Sequence, residues 1–361
     1  MIKELKYDAV QMLRAMVRIP SLSFEEDAVA TMIQRQLEDF GLPVKRCGNN
    51  LTVLKKGAKT DRTLVLDAHI DTVPAAASYT RDPHDPGSDA DTVWGLGSND
   101  DGGSVVAMTA AFRYFWDKEL PFNLVLALCC EEERAGSGGA CWLYSPDGPF
   151  AKGELPVPYE VIVGEPTGMR AATSERGLLV LDGTAHGVSG HAARNEGVNA
   201  LYIALEDIEK LRSHRFERVS PKMGPVRLNV TQIQAGSAHN VIPDNCNFVV
   251  DIRPNECYTN EEILAELQGI CRSTLKARNL RNKSSATAED GALMRTIRAL
   301  GIECYSSPTT SDWMRIPGDA VKMGPGESSR SHSADEYIKV SEIEDAVDKY
   351  IKFIEAYGNT N

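Results

Sequence analysis

The chain has 361 residues, long enough for two domains and too long for one simple core. Apolar residues make up 42% and charged residues 25%, an ordinary globular balance, and no apolar run is long enough to span a bilayer. The formal net charge of −12 excludes a broad nucleic-acid surface, which needs clustered Lys and Arg.

The opening MIKELKYDAV has no secretory apolar core, so the sequence predicts a cytoplasmic protein. Val10, Leu13, Arg14 and Val17 give a first helix one apolar side. Ser23 and Glu26 have capping-box spacing and predict a second helix from Ser23 to Gly41, with Val29, Met32, Ile33, Leu37 and Phe40 as its apolar stripe. Buried strands then begin at Thr63 (TLVLDAHID), Asn123 (NLVLALCCEEE) and Tyr159 (YEVIVGEPT), with a helix from Gly102 between the first two. Strands alternating with helices predict an α/β fold: a mostly parallel, doubly wound sheet covered on both faces.

The pattern changes after Thr167. From about Ser174 to Ser285 it reads strand, helix, strand, strand, helix, strand, with strands from Gly177, Val226 and Cys246, a weak last strand near Leu280, and helices near Val198 and Asn260. This predicts an inserted ferredoxin-like α+β domain over residues 174–287, within a catalytic domain made of residues 1–173 and 288–361. A helix from Ser341 to Tyr357 closes the chain. The eight cysteines form no C-x-x-C pair and several lie in apolar runs, so reduced thiols are expected.

The informative observation is where acids and histidines fall. His69 and Asp71 end the first strand run, Glu131, Glu132 and Glu133 the second, and Glu165 the third. Asp100 and Asp101 precede the Gly102 helix, and His332 sits in the loop SHSADEY. Such sheets gather their ligands beyond the carboxyl ends of the strands, so these residues should converge. Singly, each has a plain reading: a lone histidine is more often a satisfied side chain, three glutamates a solvated turn, an Asp pair a helix cap. As a set they would repel one another at a cost of several kcal/mol unless cations compensate, which points to a metal site. The Gly-rich GPGESSRS lacks the lysine of a phosphate loop, and no acid completes a Ser-His triad at Ser189 or Ser331.

HIDTVP, GLGSNDDGG, CCEEE, VGEPT and SHSADEY, in that order, resemble the motifs of the M20 metallopeptidase family, whose members include acetylornithine deacetylases, succinyl-diaminopimelate desuccinylases, carboxypeptidases and dipeptidases. The resemblance covers nearly the whole chain. It implies that His69 and Glu165 hold one divalent ion, Glu133 and His332 a second, and that Asp100 bridges both. Asp71 would orient His69, and Glu132 would be the general base; the family's acidic pair follows another acid, here Glu131, which sets that register. Two imidazoles and three carboxylates suit zinc, with cobalt or manganese as substitutes. The implied nucleophile is a hydroxide bridging the two ions.

The resemblance also implies that His191 assists the substrate carbonyl, often from a partner subunit, and that Arg176, Asn240, Arg253, Thr310 and Ser311 line the substrate pocket. Against this, an arginine at a strand end is commonly a surface charge. The family often has Arg at the position of Leu96 and Lys at that of Gly102, and both are missing here. The expected activity is zinc-dependent removal of an acetyl or succinyl group from the α-amine of an amino acid such as ornithine or citrulline, as in arginine biosynthesis. The expected assembly is a homodimer through the inserted lid, with no nucleic-acid or membrane partner. The alternatives are a succinyl-diaminopimelate desuccinylase, a dipeptidase, a catalytically silent metal- or amino-acid-binding homologue, or a Cys- or Ser-dependent hydrolase.

Overall fold

The computed structural model describes residues 1–59, 61–194 and 196–359. The chain divides into two compact units. The first comprises Met1–Thr173, Ala286–Tyr305 and Ser311–Asn361, and the second Ser174–Ser285 and Ser306–Thr310.

The first unit opens with α1 (Ile2–Val17) and α2 (Asp27–Asp39). α2 starts four residues later than the sequence predicts, and the capping box is absent. Its two side chains are taken elsewhere. Ser23 Oγ donates to Asp71 Oδ2 at 2.7 Å, and the Glu26 carboxylate accepts the backbone N–H groups of Phe24 and Glu131 at 2.8 and 3.1 Å. The hairpin β1 (Lys45–Cys47) and β2 (Asn50–Lys55) follows, then β3 (Thr63–His69) and β4 (Thr92–Trp94). Next come α3 (Gly103–Phe115), β5 (Asn123–Cys129), α4 (Ala140–Leu143), β6 (Tyr159–Val163) and β7 (Ala171–Glu175). Every residue of β3 and β5 is buried, as expected of strands covered on both faces.

The second unit contains β8 (Leu179–His186), β9 (Gly190–His191), α5 (Ala200–Ser213), β10 (Arg227–Ala235), β11 (Val241–Ile242), β12 (Asn245–Arg253), α6 (Asn260–Ile270) and β13 (Thr274–Ala277). The last strand lies before Leu280, not near it. Leu275 provides its buried residue, and Lys276 and Ala277 pair with Asp182 and Leu181 of β8. The sheet order is β10, β12, β8, β13, all antiparallel, the arrangement of a ferredoxin-like βαββαβ unit. Leu179, Leu181 and Ala185 of β8 alternate inward with Phe248, Val250 and Ile252 of β12, and these six meet Ile203 and Ile263 of the helices in one core. α6 carries a complete capping box between Thr259 and Glu262.

The chain returns through β14 (Ser285–Ala286), α7 (Ala292–Leu300), β15 (Cys304–Ser307), β16 (Asp319–Lys322), β17 (Tyr337–Lys339) and α8 (Val340–Asn359). The large sheet runs β1, β2, β5, β3, β6, β16, β7, β14, with β15 also paired to β7. β5, β3, β6 and β16 are parallel, and β2 and β7 flank them antiparallel. The chain leaves β3 for β5 on one side and then crosses to β6 on the other. β3 is therefore the switch point, where a crevice opens beyond the strand ends. α3 packs with α1 and α8 on one face of the sheet. On the other face Val65, Cys129, Val161 and Val163 pack against Leu143, Tyr144, Phe150 and Trp313.

Among the described residues no disulfide forms, and no helix is long and apolar enough to cross a membrane.

Candidate metal centre

The crevice beyond β3 is where the acids and histidines meet. His69 is the last residue of β3, and its side chain is only 2% exposed. Its Nε2 lies 3.2 Å from Asp100 Oδ1. The other Asp100 oxygen lies 3.6 Å from His332 Nε2, so one carboxylate faces two imidazoles. His332 Nε2 is also 2.9 Å from Glu133 Oε2. Donor atoms of His69, Glu132 and Glu165 lie within 4.8 Å of one another, as do those of His69, Asp100 and Glu133.

The loops that present these groups are tied to each other. Asp71 Oδ1 accepts the Glu132 N–H and Oδ2 the Glu133 N–H, both at 3.0 Å, so one carboxylate seats the acidic turn after β5. The same Asp71 holds His69, whose Nδ1 is 3.0 Å from the Asp71 carbonyl oxygen and 3.5 Å from Oδ1. Glu131 adopts a left-handed backbone, and its Oε2 accepts the Gly138 N–H at 2.7 Å. Its carboxylate thus closes the turn, leaving Glu132 and Glu133 for the crevice. A Cβ at Gly102 would fall 2.4 Å from the Gly97 carbonyl oxygen, which is why this chain has no side chain there.

Sequence reasoning missed Glu336. Its Oε1 accepts the N–H groups of Asn99 and Asp100, each at 2.9 Å, and its Oε2 that of Gly97 at 3.2 Å. The Asn99 side chain then bonds both the N–H and the carbonyl of Glu327. These bonds join the Asp100 loop to the segment that leads to His332. Glu336 follows His332 by four residues, but nothing in SHSADEY separates it from an exposed acid. Also unassigned were Asp67, whose carboxylate accepts the Tyr144 hydroxyl, and the fully buried Lys322.

The electrostatics describe a cavity short of positive charge. Burial pushes the Glu132 carboxyl up to about 8 despite the pull of His69, with Glu133 and Asp71 adding to the rise. Burial and Asp100 together push Glu165 well up. The Glu133 hydrogen bond lifts His332 to about 9, and His69 is raised well above its usual range, the hydrogen bonds to Asp100 and Asp71 overcoming burial. Asp101 is buried and rises to about 8, again through burial. Acids that hold protons beside histidines that gain them are what divalent cations would relieve. The nitrogen and carboxylate donors suit such ions, so the residues fit a pair of them.

Of the residues expected to serve the substrate, His191, Arg176, Asn240, Arg253 and Thr310 lie in the second unit. His191 is exposed on β9, and β9 pairs with β11 so that the Ala192 N–H donates to the Asn240 carbonyl at 3.0 Å; these two are brought together. Arg176 is 7% exposed, and its guanidinium donates to the carbonyls of Pro225 at 3.0 Å, Arg253 at 3.3 Å and Met223. It braces a turn instead of presenting a free fork. Arg253 pairs with Asp251 at 2.9 and 3.1 Å. Thr310 is half-buried at the end of this unit. Ser311 belongs to the first unit, where its Oγ accepts the Trp313 N–H at 3.3 Å and caps a short turn.

Asp71→Asn should weaken metal binding about 10–100-fold, because it removes the group that orients His69 and seats the Glu132–Glu133 turn. Competition with a chromophoric chelator reads this directly. Unchanged affinity would mean that Asp71 serves only the fold.

Fold and donor set together define a metal-dependent amidohydrolase. The chain belongs to peptidase family M20/M25/M40, whose model matches residues 65–356. It is 31% identical over 278 residues to a succinyl-diaminopimelate desuccinylase of Cereibacter sphaeroides, covering 72% of this chain and 71% of the relative. It is 27% identical over 352 residues to a Pyrobaculum aerophilum protein named as a LysW-lysine/LysW-ornithine hydrolase, covering 93% and 94%. A Bacillus subtilis protein described as a dinuclear metal-binding M20 peptidase superposes with a TM-score of 0.70 at 16% identity, over 99% of this chain and 100% of that one.

Proposed function

We propose that this protein hydrolyses the amide bond of an N-acylated amino acid, removing an acetyl or succinyl group from the α-amine of ornithine, citrulline or a similar amino acid. The observation that carries the reading is Asp100, with one carboxylate oxygen 3.2 Å from His69 and the other 3.6 Å from His332. His69, Asp100 and Glu165 would hold one divalent ion, zinc in the first instance, and Asp100, Glu133 and His332 the other. Bound there, the ions supply Lewis acidity at the scissile carbonyl and make water a stronger acid.

The rest falls to the chain's own groups. The Glu132 carboxylate takes a proton from the attacking water as its oxygen closes on the amide carbon. It then gives that proton to the nitrogen as the carbon–nitrogen bond breaks, so the amine leaves neutral. Asp71 fixes the backbone from which Glu132 projects, at 3.0 Å. Support for an acylated amino acid comes from two relatives, one named for removing succinyl from succinyl-diaminopimelate and the other named a hydrolase of LysW-lysine and LysW-ornithine.

The reading is tested by amine release from N-acetylornithine, N-acetylcitrulline, their N-succinyl counterparts and N-succinyl-diaminopimelate. Turnover of one of the four ornithine or citrulline derivatives fits it. Turnover of the diaminopimelate derivative alone replaces it with the desuccinylase assignment, and none at all speaks for a dipeptidase or a silent homologue.

The second unit is the proposed lid and dimerisation element, with His191 reaching the partner's site. Inactive His191→Ala and Glu132→Gln proteins, mixed, should then regain part of the wild-type activity, since hybrid dimers contain one intact site. A monomeric mass, or no recovery on mixing, would contradict it.

A further inference from the structure

Lys322 is 1% exposed, an unusual place for a lysine, and the reaction described above does not use it. It is the last residue of β16, whose parallel register sets it beside Val163 of β6, two residues before Glu165. The strands stay in contact past that point. The Met323 N–H donates to the Val163 carbonyl at 2.9 Å, and a Cβ on Gly324 would fall 2.6 Å from the Glu165 carbonyl oxygen. Ala320 and Val163 share one apolar cluster, so by strand alternation Lys322 leaves the sheet on the same face as Val163. Its side chain is therefore enclosed at the strand ends beside Glu165.

We propose that Lys322 is an internal counter-charge to Glu165 that stabilises the protein before metal loads and weakens the metal position made by His69 and Glu165. This rests on the functional reading above, in which Glu165 is a ligand. Lysine attracts the crowded carboxylates when they are alone and repels a divalent cation once one arrives. By linkage, a charge that favours the empty site over the filled one must lower metal affinity. Lys322 is close enough to the Glu165 carboxylate to interact with it electrostatically. Such a residue tunes one ion to be the exchangeable one and leaves the site held by Glu133 and His332 less affected. Lys322 is a positioning residue, since it acts through Glu165.

The test is Lys322→Met, which keeps the length of the stem and removes the charge, with Lys322→Arg as the charge-retaining control. Zinc affinity is read by competition with a chromophoric chelator, and thermal unfolding is read on chelated protein. Two shifts of opposite benefit are expected in the methionine variant. The weaker zinc should bind about tenfold tighter or more, and the chelated protein should melt at a lower temperature. The arginine variant should stay near wild type in affinity. A merely structural lysine would lower both stability and affinity, so zinc binding that is unchanged or weaker in Lys322→Met overturns the proposal alone. Wild-type protein that binds no zinc overturns this proposal together with the metal-dependent reading.

Discussion

Replacing Glu132 with glutamine should lower amide turnover by about 10²-fold or more while both metal ions stay bound. Its oxygen lies within 4.8 Å of donor atoms of His69 and Glu165, close enough to serve a water held among them. Glutamine keeps the shape and the hydrogen bond from its own N–H to Asp71, but its amide cannot take a proton at neutral pH. The proton transfer belongs to the transition state, so kcat should fall and KM should change little. Full turnover in a metal-loaded Glu132→Gln protein would remove Glu132 from the reaction. Loss of one ion would make Glu132 a ligand and shift the register of the acidic run by one residue.

Asp100→Ala should have the other large effect: loss of both ions and of measurable activity. Each oxygen of this carboxylate faces a different imidazole, so one substitution takes a donor from both positions. The two cations would also lose the negative charge that lets them sit near each other. The backbone should survive, because Glu336 holds the N–H groups of Asn99 and Asp100 and does not depend on the Asp100 side chain. Metal analysis of the purified variant and its circular dichroism separate the two. A folded variant that retains two ions would refute the bridging role.

The parallel core of the fold was legible because β3, β5 and β6 each carry a short apolar run, a pattern that strands buried on both faces produce. The polar residues that stop those runs, His69, Glu132 and Glu165, could then be placed at one edge by topology alone. The second unit was legible from the alternation in β8 and β12, which carries one wet face. What failed was local signal overridden at long range. Ser23 and Glu26 look like a helix cap, but they serve Asp71 and Glu131, which are distant in sequence. The strand predicted near Leu280 sits earlier, where Leu275 fits the core.

The β1–β2 hairpin is short and largely polar, so no apolar run announced it. Glu336 and Lys322 escaped for a related reason. Each is a charged residue whose function depends on what folds over it, and neither sequence spacing nor composition reports burial. Arg176, which a motif suggests for substrate, donates to backbone carbonyls of its own unit.

The most direct test follows zinc content and amine release in one sample, through chelation and re-addition of zinc. Two ions per chain are expected, with activity that vanishes as they are removed and returns as they are restored. Hydrolysis that continues in the chelated, metal-free protein would contradict the metal-dependent reading.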